Sequence, residues 1–542
     1  MAELVAPPPP APTSPAAPAP RRRVAPSAAC LQRARTLKVA VVGGGMAGLA
    51  AARQLADWGA SVTVYEARSQ VGGRVLSDSR FAKGRVVEFG AELVGSIHTR
   101  WCAMAVEYGI ALINRMDGDF YHGVQLDQRV ILDRLLTPDE AAQVQQRLDA
   151  VLKRIAEFAR DTIPAGFESH PWDLGRLRAL DLKSVAEVLE KDFGISRSDR
   201  LWLALELFLV NNNVARLEQM SYLALLCLVR GGQTSTRPDG RRATIAKDPL
   251  LGYWNELEIY RCADGCQRLS LALAADVHAR KGCRVVRNLG VRRIDLPRSG
   301  GGVMVTARST KNTRFDEWLR EKIPGNPLMD TRRYDYVILA VPPTVWGDIE
   351  IVPFHPKDVI GQLGSGPAVK FFSRLGRRFW IEQGWAPLGG SLDIGQVWEG
   401  TDNQMQVGDQ PIVLNVFTGA RTPTESQYID GLARLYPPTP GRARSGYRAN
   451  LKATKVVDWS RQPFIRTGYS SPRVGQVFTI GKELNEPFGG RLFFAGEHTQ
   501  LDHFGYMEGA IRSGERAARQ LLEQSCRSLE QDGEPRVASR IA

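Results

Sequence analysis

The sequence predicts an α/β fold in which a Rossmann-like domain is interleaved with a mixed α+β domain. Two observations carry this. First, residues 37–42 (LKVAVV) form a short, β-branched, apolar run. Glycines follow it, then a helix-length segment over 46–58 ended by Gly59, and a second strand-like run over 61–65 (SVTVY). That order is a βαβ unit of about thirty residues. Second, apolar strand-like runs recur far downstream, at 334–341 (YDYVILAV) and 491–495. Strands buried on both faces of a parallel sheet read as continuous apolar runs, not alternating ones.

Taken in order, residues 1–36 are rich in Pro and Ala and read as a disordered extension. After the βαβ unit comes a helical stretch from about 99 to 228, in which 138–159 and 180–189 carry apolar residues at helical spacing. Residues 231–252 are polar and read as a loop. Valines alternate with polar residues over 284–306, a strand pattern. Residues 311–333 are charged and read as an exposed insertion. The strand 334–341 stops at Pro342 and Pro343. Short strands fill 351–420, and a loop rich in Pro and Arg runs to about 450. The last elements are the strand 491–495 and a helix over 506–523. The resulting division assigns 37–100, 255–345 and 452–526 to the Rossmann-like domain, and 101–254 and 346–451 to the second domain. Residues 527–542 form a polar tail. No segment repeats.

With 542 residues, 43% hydrophobic and 24% charged, the chain has the balance of a globular protein too long for one simple core. Its formal net charge is +13, but Arg and Lys are scattered among acids and no nucleic-acid module is visible. No run of about 18 apolar residues is present and no clear signal peptide, so no membrane span is expected, and a cytoplasmic location is. The seven cysteines are odd in number and widely spaced, and Cys262 and Cys266 make CxxxC, not CxxC. Reduced thiols and no metal site are therefore expected.

Chemistry enters at Gly43, Gly45, Met46, Ala47 and Gly48, a GxGxxG turn between the first strand and the helix. The glycines let the backbone turn tightly against a pyrophosphate, and the helix N-terminus offers free N–H groups. Glu66, 18 residues after Gly48, ends the second strand, where a carboxylate accepts from a ribose hydroxyl pair. Ala67, Arg68 and the turn Val71-Gly72-Gly73-Arg74 follow.

With this turn the chain resembles the flavin-containing amine oxidases, the family of monoamine, polyamine and L-amino-acid oxidases. Further matching stretches are 89–92 (FGAE), 263–269 (ADGCQRL), 340–343 (AVPP), 494–499 (FAGEHT) and 505–510 (GYMEGA). The resemblance spans about 37–522 and implies an FAD-binding Rossmann-like domain with a mixed substrate-binding domain. It implies that Gly73 and Arg74 contact the pyrophosphate and ribityl region, that Val291 contacts adenine, that Gly496 and Glu497 meet the ribityl–phosphate region, and that the Met507 amide lies near the isoalloxazine edge. Lys370, in an apolar run before Phe379-Trp380, matches a lysine that holds a water against flavin N5 and serves oxygen reactivity. A lysine buried in an apolar strand also needs a partner. Tyr469 and Tyr506 match the two rings that flank the amine's path to the flavin. Gly468 stands where monoamine oxidases carry the cysteine that bonds the flavin, so FAD is expected to be non-covalent.

The resemblance thus implies oxidation of an amine to an imine, hydrolysed to a carbonyl and ammonia, with O2 reduced to H2O2. L-amino-acid oxidases place an arginine for the substrate carboxylate soon after the Gly-Ala of the FGA stretch. Here Glu92-Leu93-Val94 follows Gly90-Ala91, which favours an amine over an amino acid and leaves Arg100 as an alternative anchor. An L-amino-acid oxidase and a non-catalytic flavin-binding interaction protein stay open as alternatives. His98, His498 and His503 carry no assigned catalytic role, and Trp398-Glu399 lies in a segment expected near the substrate. Oligomeric state is not legible, although dimers are common in the family.

Overall fold

The computed structural model describes residues 26–114, 126–235, 248–297, 301–311, 329–353, 363–402, 404, 410–441 and 445–533. Five strands form a parallel sheet in the order Leu492–Phe494, Tyr336–Leu339, Lys38–Val42, Ser61–Glu66, Arg284–Arg287. The central strand Lys38–Val42 is buried at every position but Lys38, which is why it reads as an unbroken apolar run. The helix Met46–Asp57 covers one face together with the C-terminal helix Met507–Gly533. Their alanines (Ala47, Ala51, Ala517, Ala518) let the helices approach closely over Val39, Val41 and Val62.

Three strands of a second sheet, Leu289–Asp295, Val303–Ser309 and Met329–Tyr334, are antiparallel, and Glu350–Val352 joins its edge in parallel. A third sheet has six strands in the order Leu451–Asp458, Ala368–Leu375, Ile412–Gly419, Gly395–Glu399, Trp385–Ser391, Asp127–Ile131. Within it Lys370 lies between Val457 and Phe417. Helices Pro138–Thr162, Arg200–Asn213 and Tyr222–Thr234 supply a large helical core. The first of these starts at a capping box, Thr137 with Glu140, and turns Leu148, Leu152 and Ile155 inward at helical spacing.

The structure departs from the sequence reading in several places. Ala28–Ala34 is a helix capped by Ser27, inside the expected disordered extension. It packs on the C-terminal helix, and Cys30 is bonded to Cys526 in a disulfide, so this pair is not reduced. A separation of 496 residues hides such a partner from a reading of local spacing. The C-terminal helix passes the expected end at 523 and enters the tail, continuing to Gly533 because no Gly or Pro interrupts it earlier in that stretch. Residues 329–333 of the charged insertion belong to the largely exposed strand Met329–Tyr334, and 312–328 lie outside the described residues. The expected helix over 180–189 is broken, because Ser184 caps a new turn at Val185–Glu187. The helix Tyr222–Thr234 runs into the expected loop through Gly231 and Gly232, which pack against Asp502 and Tyr253.

Candidate functional site

At the carboxyl end of the parallel sheet opens a cavity of about 580 Å³. It runs from the first βα turn to the six-stranded sheet. Gly43, Gly45, Met46, Ala47, Glu66, Ala67, Arg68, Gly73, Arg74, Val291, Lys370, Tyr469, Gly496, Glu497, Tyr506 and Met507 all line it. Gly48 does not. It lies one turn into the helix, where a Cβ would stand 2.0 Å from the Gly43 carbonyl oxygen. Gly43 has φ +108°, and a Cβ there would meet the Ala340 carbonyl oxygen at 2.8 Å. The turn therefore demands both glycines.

A dinucleotide fits the nucleotide end of this cavity. Helix Met46–Asp57 begins at Gly45 with no side chain capping it, so its first N–H groups face the cavity. A Cβ on Gly45 would come no nearer than 4.0 Å to any other atom, leaving room for a phosphate. The Glu66 carboxylate accepts from the Gly44 amide at 2.8 Å and the Arg68 amide at 2.7 Å, which fixes its orientation at the cavity wall. Burial raises its pKa, against the pull of those amides and the Arg68 charge. Arg68 in turn donates to the Gly73 carbonyl at 2.8 Å and stiffens the GGR turn.

Arg74 crosses to the C-terminal block, donating to Glu497 at 2.8 Å and to the Gly468 carbonyl at 2.7 Å. Glu497 also accepts from the Ser470 hydroxyl at 2.5 Å and the Gly505 amide at 2.7 Å. Burial pushes its pKa up, but Arg74 and these donors outweigh it and leave it below the usual range. This clamp locks the segment bearing Tyr469 to the one bearing Tyr506. The Tyr469 ring packs against Gly505, where a Cβ would be 2.9 Å from it. Its hydroxyl donates to the carbonyls of Asn211 at 3.0 Å and Asn212 at 3.1 Å. Tyr506 shares a 3.2 Å hydrogen bond with Tyr253, and its ring lies 5.4 Å from that of His98. Burial raises both phenol pKa values well above normal, so both rings stay neutral.

Lys370 is buried, and its ammonium donates to the carbonyls of Glu88 at 2.7 Å and Gly90 at 3.2 Å and to the Glu92 carboxylate at 2.6 Å. The partner its sequence setting demands is therefore Glu92. These three acceptors match the three N–H groups of an ammonium. A water held by that ammonium, the role the resemblance implies, has to displace one of them. Glu92 further accepts from Trp398 Nε1 at 3.0 Å and pairs with Arg261 at 3.0 Å. Burial alone would raise its pKa, yet the charges of Lys370 and Arg261 hold it down at about 2.

Other candidates take structural places. Arg100 binds Glu515 through Nε at 3.0 Å and is not among the residues lining the cavity. Glu399 is buried against Arg378 at 2.7 Å, whereas its neighbour Trp398 faces the cavity. His98 accepts from the Gly95 amide at 2.9 Å, and burial lowers its pKa to about 3, so it is a neutral packing partner of Tyr506. His498 lines the cavity, and burial lowers its pKa to about 4. His503 is buried beside Asp502. Sequence reasoning missed the apolar wall of Val130, Leu132, Val144, Leu148, Leu207 and Phe208, and it missed Glu258. The wall residues carry ordinary core spacing, so nothing local marks them as lining.

The profile of the family described as "Flavin containing amine oxidoreductase" matches residues 46–522. The chain belongs to this family. It is an oxidoreductase acting on CH–NH2 or CH–NH groups, and its cofactor is FAD. It is 27% identical over 506 residues to the AofH protein of Mycobacterium tuberculosis, covering 89% of this chain and 96% of that one. To "Amine oxidase [flavin-containing] B" of Bos taurus it is 25% identical over 503 residues, covering 89% and 86%. Wild-type putrescine oxidase bound to putrescine superposes with a TM-score of 0.68 at 20% identity, over 90% of this chain and 99% of that one, which shows the shared fold. The flavin oxidoreductase fold thus accounts for the parallel sheet, and its cofactor for the uncapped helix end and the glycine turn. Among the described residues no helix is long and apolar enough to cross a membrane, and no group of His, Cys, Asp and Glu is arranged to hold a metal.

Proposed function

We propose that this flavin amine oxidoreductase is an oxidase of simple amines that carry an apolar substituent, with FAD held non-covalently and O2 as electron acceptor. The observation that carries the reading is the charge and polarity of the cavity beyond the nucleotide end. Among the described residues the lining arginines are Arg68, Arg74 and Arg292, all belonging to the nucleotide side. The substrate side has the apolar wall, the two tyrosines and two acids, Glu92 and Glu258. Among the described residues no arginine lines that side to meet a substrate carboxylate, and Arg100 is spent on Glu515. Lys370 is already paired with Glu92. An alkyl or ring substituent, by contrast, gains about 25 cal/mol per Å² buried against the wall.

Bound FAD supplies the two-electron acceptor that takes hydrogen from the carbon bearing nitrogen and passes the electrons to O2, giving H2O2. The protein's part is positioning and exclusion of water. Tyr469 and Tyr506, neutral and held at their hydroxyls, flank the approach of the amine nitrogen. Glu258 lies close enough to both for its charge to raise their pKa values, and it attracts the incoming ammonium. Gly468 supports non-covalent FAD, because a side chain there would stand 2.5 Å from the Ala368 Cβ.

The test is peroxide release by purified holoenzyme supplied separately with alkyl and alicyclic primary amines, diamines and all L-amino acids. Turnover of the apolar amines is expected, with none of the amino acids. Turnover confined to L-amino acids would refute the substrate reading.

A further inference from the structure

We infer that Glu92 is a positioning residue that cancels the charge of Lys370 at the cavity wall and so lowers the reduction potential of the bound flavin. The inference rests on the amine oxidase reading above. Three observations lead to it. The ion pair is close and buried, 2.6 Å with side-chain exposures of 5% for Lys370 and 4% for Glu92, so solvent screens it little. The pair is geometrically saturated, because the other two ammonium protons go to the Glu88 and Gly90 carbonyls and the second Glu92 oxygen takes Trp398 and Arg261. Finally, Glu92, Lys370 and Trp398 all line the same cavity as Gly468, Tyr469 and Tyr506. What the cavity meets is therefore a nearly neutral pair and not a free cation. Asp402 plays the matching part for Arg261, on which it closes from the other side.

A free cation beside a flavin favours its electron-rich reduced form. A neutral pair favours it less. Removing only the carboxylate charge should therefore raise the potential, and removing only the lysine should lower it. A residue that merely holds Lys370 in place behaves otherwise. Its loss would release the lysine and shift the potential in the same direction as loss of the lysine itself. The sign of the change separates the two roles.

The experiment is the two-electron midpoint potential of FAD-replete wild type, Glu92→Gln, Glu92→Asp, Lys370→Met and the Lys370→Met/Glu92→Gln double variant. Sulfite, which adds to oxidised flavin and bleaches it, serves as an independent probe of positive charge near the ring. Glu92→Gln should raise the potential and tighten sulfite binding about tenfold, equivalent to about 30 mV for a two-electron couple. Lys370→Met should shift both in the opposite direction. The double variant, in which both charges are gone, should return close to wild type, and Glu92→Asp should stay there because the charge is kept. The inference fails if Glu92→Gln leaves the potential unchanged or lowers it. Should that single variant not fold, a double variant that remains as low as Lys370→Met overturns it. A wild-type protein that binds no FAD, or whose flavin no amine bleaches, would instead remove the reading of the function beneath it.

Discussion

Replacing Lys370 with Met should lower stability by about 3 kcal/mol, through a loss that can be traced atom by atom. Methionine nearly matches the lysine stem in volume, so the cavity term is small. What disappears is a buried ammonium bonded to the Glu88 and Gly90 carbonyls and to Glu92. Breaking one side of a buried ion pair costs about 3–5 kcal/mol, because the other charge is left uncompensated. Glu92 keeps Arg261 and Trp398, which places the cost at the lower end. For a chain of 542 residues, an unfolding entropy of about 2.1 cal/mol/K per residue converts that cost to a fall in Tm of about 3 °C. The assay is thermal unfolding of the FAD-saturated protein, followed by tryptophan fluorescence at fixed free FAD. Adding Glu92→Gln to Lys370→Met removes the stranded charge, so the double variant should melt above the single one. A double variant that melts at or below Lys370→Met would refute the reasoning, since the two residues would then not be each other's main electrostatic partners.

The remaining expectations follow from other features of the site and the fold. Burial raises the Glu88 carboxyl to about 7, above its ordinary value near 4.5, despite bonds from the Cys266 amide and the Ser77 hydroxyl. A raised folded-state value means stability present below pH 4.5 and lost as pH climbs through 7, so Glu88→Gln should flatten that decline in a pH series of Tm, and an unchanged slope would count against it. Gly468→Cys should not create a covalent flavin, because Ala368 and the Gly366 carbonyl occupy the space. All flavin should stay in the supernatant after acid precipitation, and yellow colour in the pellet would contradict this. Cys526→Ser opens the disulfide that ties the helix Ala28–Ala34 to the helix Met507–Gly533. It should cost about 2–5 kcal/mol and lower Tm by a few degrees, as should a thiol reductant added to the wild type but not to the variant. Equal melting with and without reductant would show that the bond contributes nothing.

The nucleotide end of the site was legible in the sequence because its chemistry is local. The glycine turn, the strand-ending Glu66 and the GGR turn lie within about thirty residues, and backbone sterics dictate each of them. The lysine was legible for a different reason: an ammonium in an apolar strand is expensive, so its presence implied a partner. Which partner was not legible. Glu92 and Lys370 are 278 positions apart, and the acid stood in plain view in the stretch where L-amino-acid oxidases carry their carboxylate-binding arginine. The same limit applies to Cys30 with Cys526. Pairings across hundreds of residues are set by how the sheets stack, and local spacing does not report that.

The substrate wall failed to appear for a deeper reason. Leu148 and Leu207 have the same helical spacing and the same burial as the leucines around them that pack into solid core. An aliphatic side chain spends no polar bond in lining a cavity, so it leaves no compositional trace of having done so. Charge does leave a trace, because each buried ion has to be matched. That difference explains why the charged groups of the site, and not its apolar wall, leave a mark in the sequence. Among the described residues the lining arginines lie at the nucleotide end, Lys370 is paired with Glu92, and Glu258 adds negative charge beside the tyrosines. On the proposed reading, a cavity charged in this way attracts a cation and repels a carboxylate before any shape is considered. Selection against amino acids would then need no steric exclusion, and it should weaken with Glu258→Gln even though the wall is untouched.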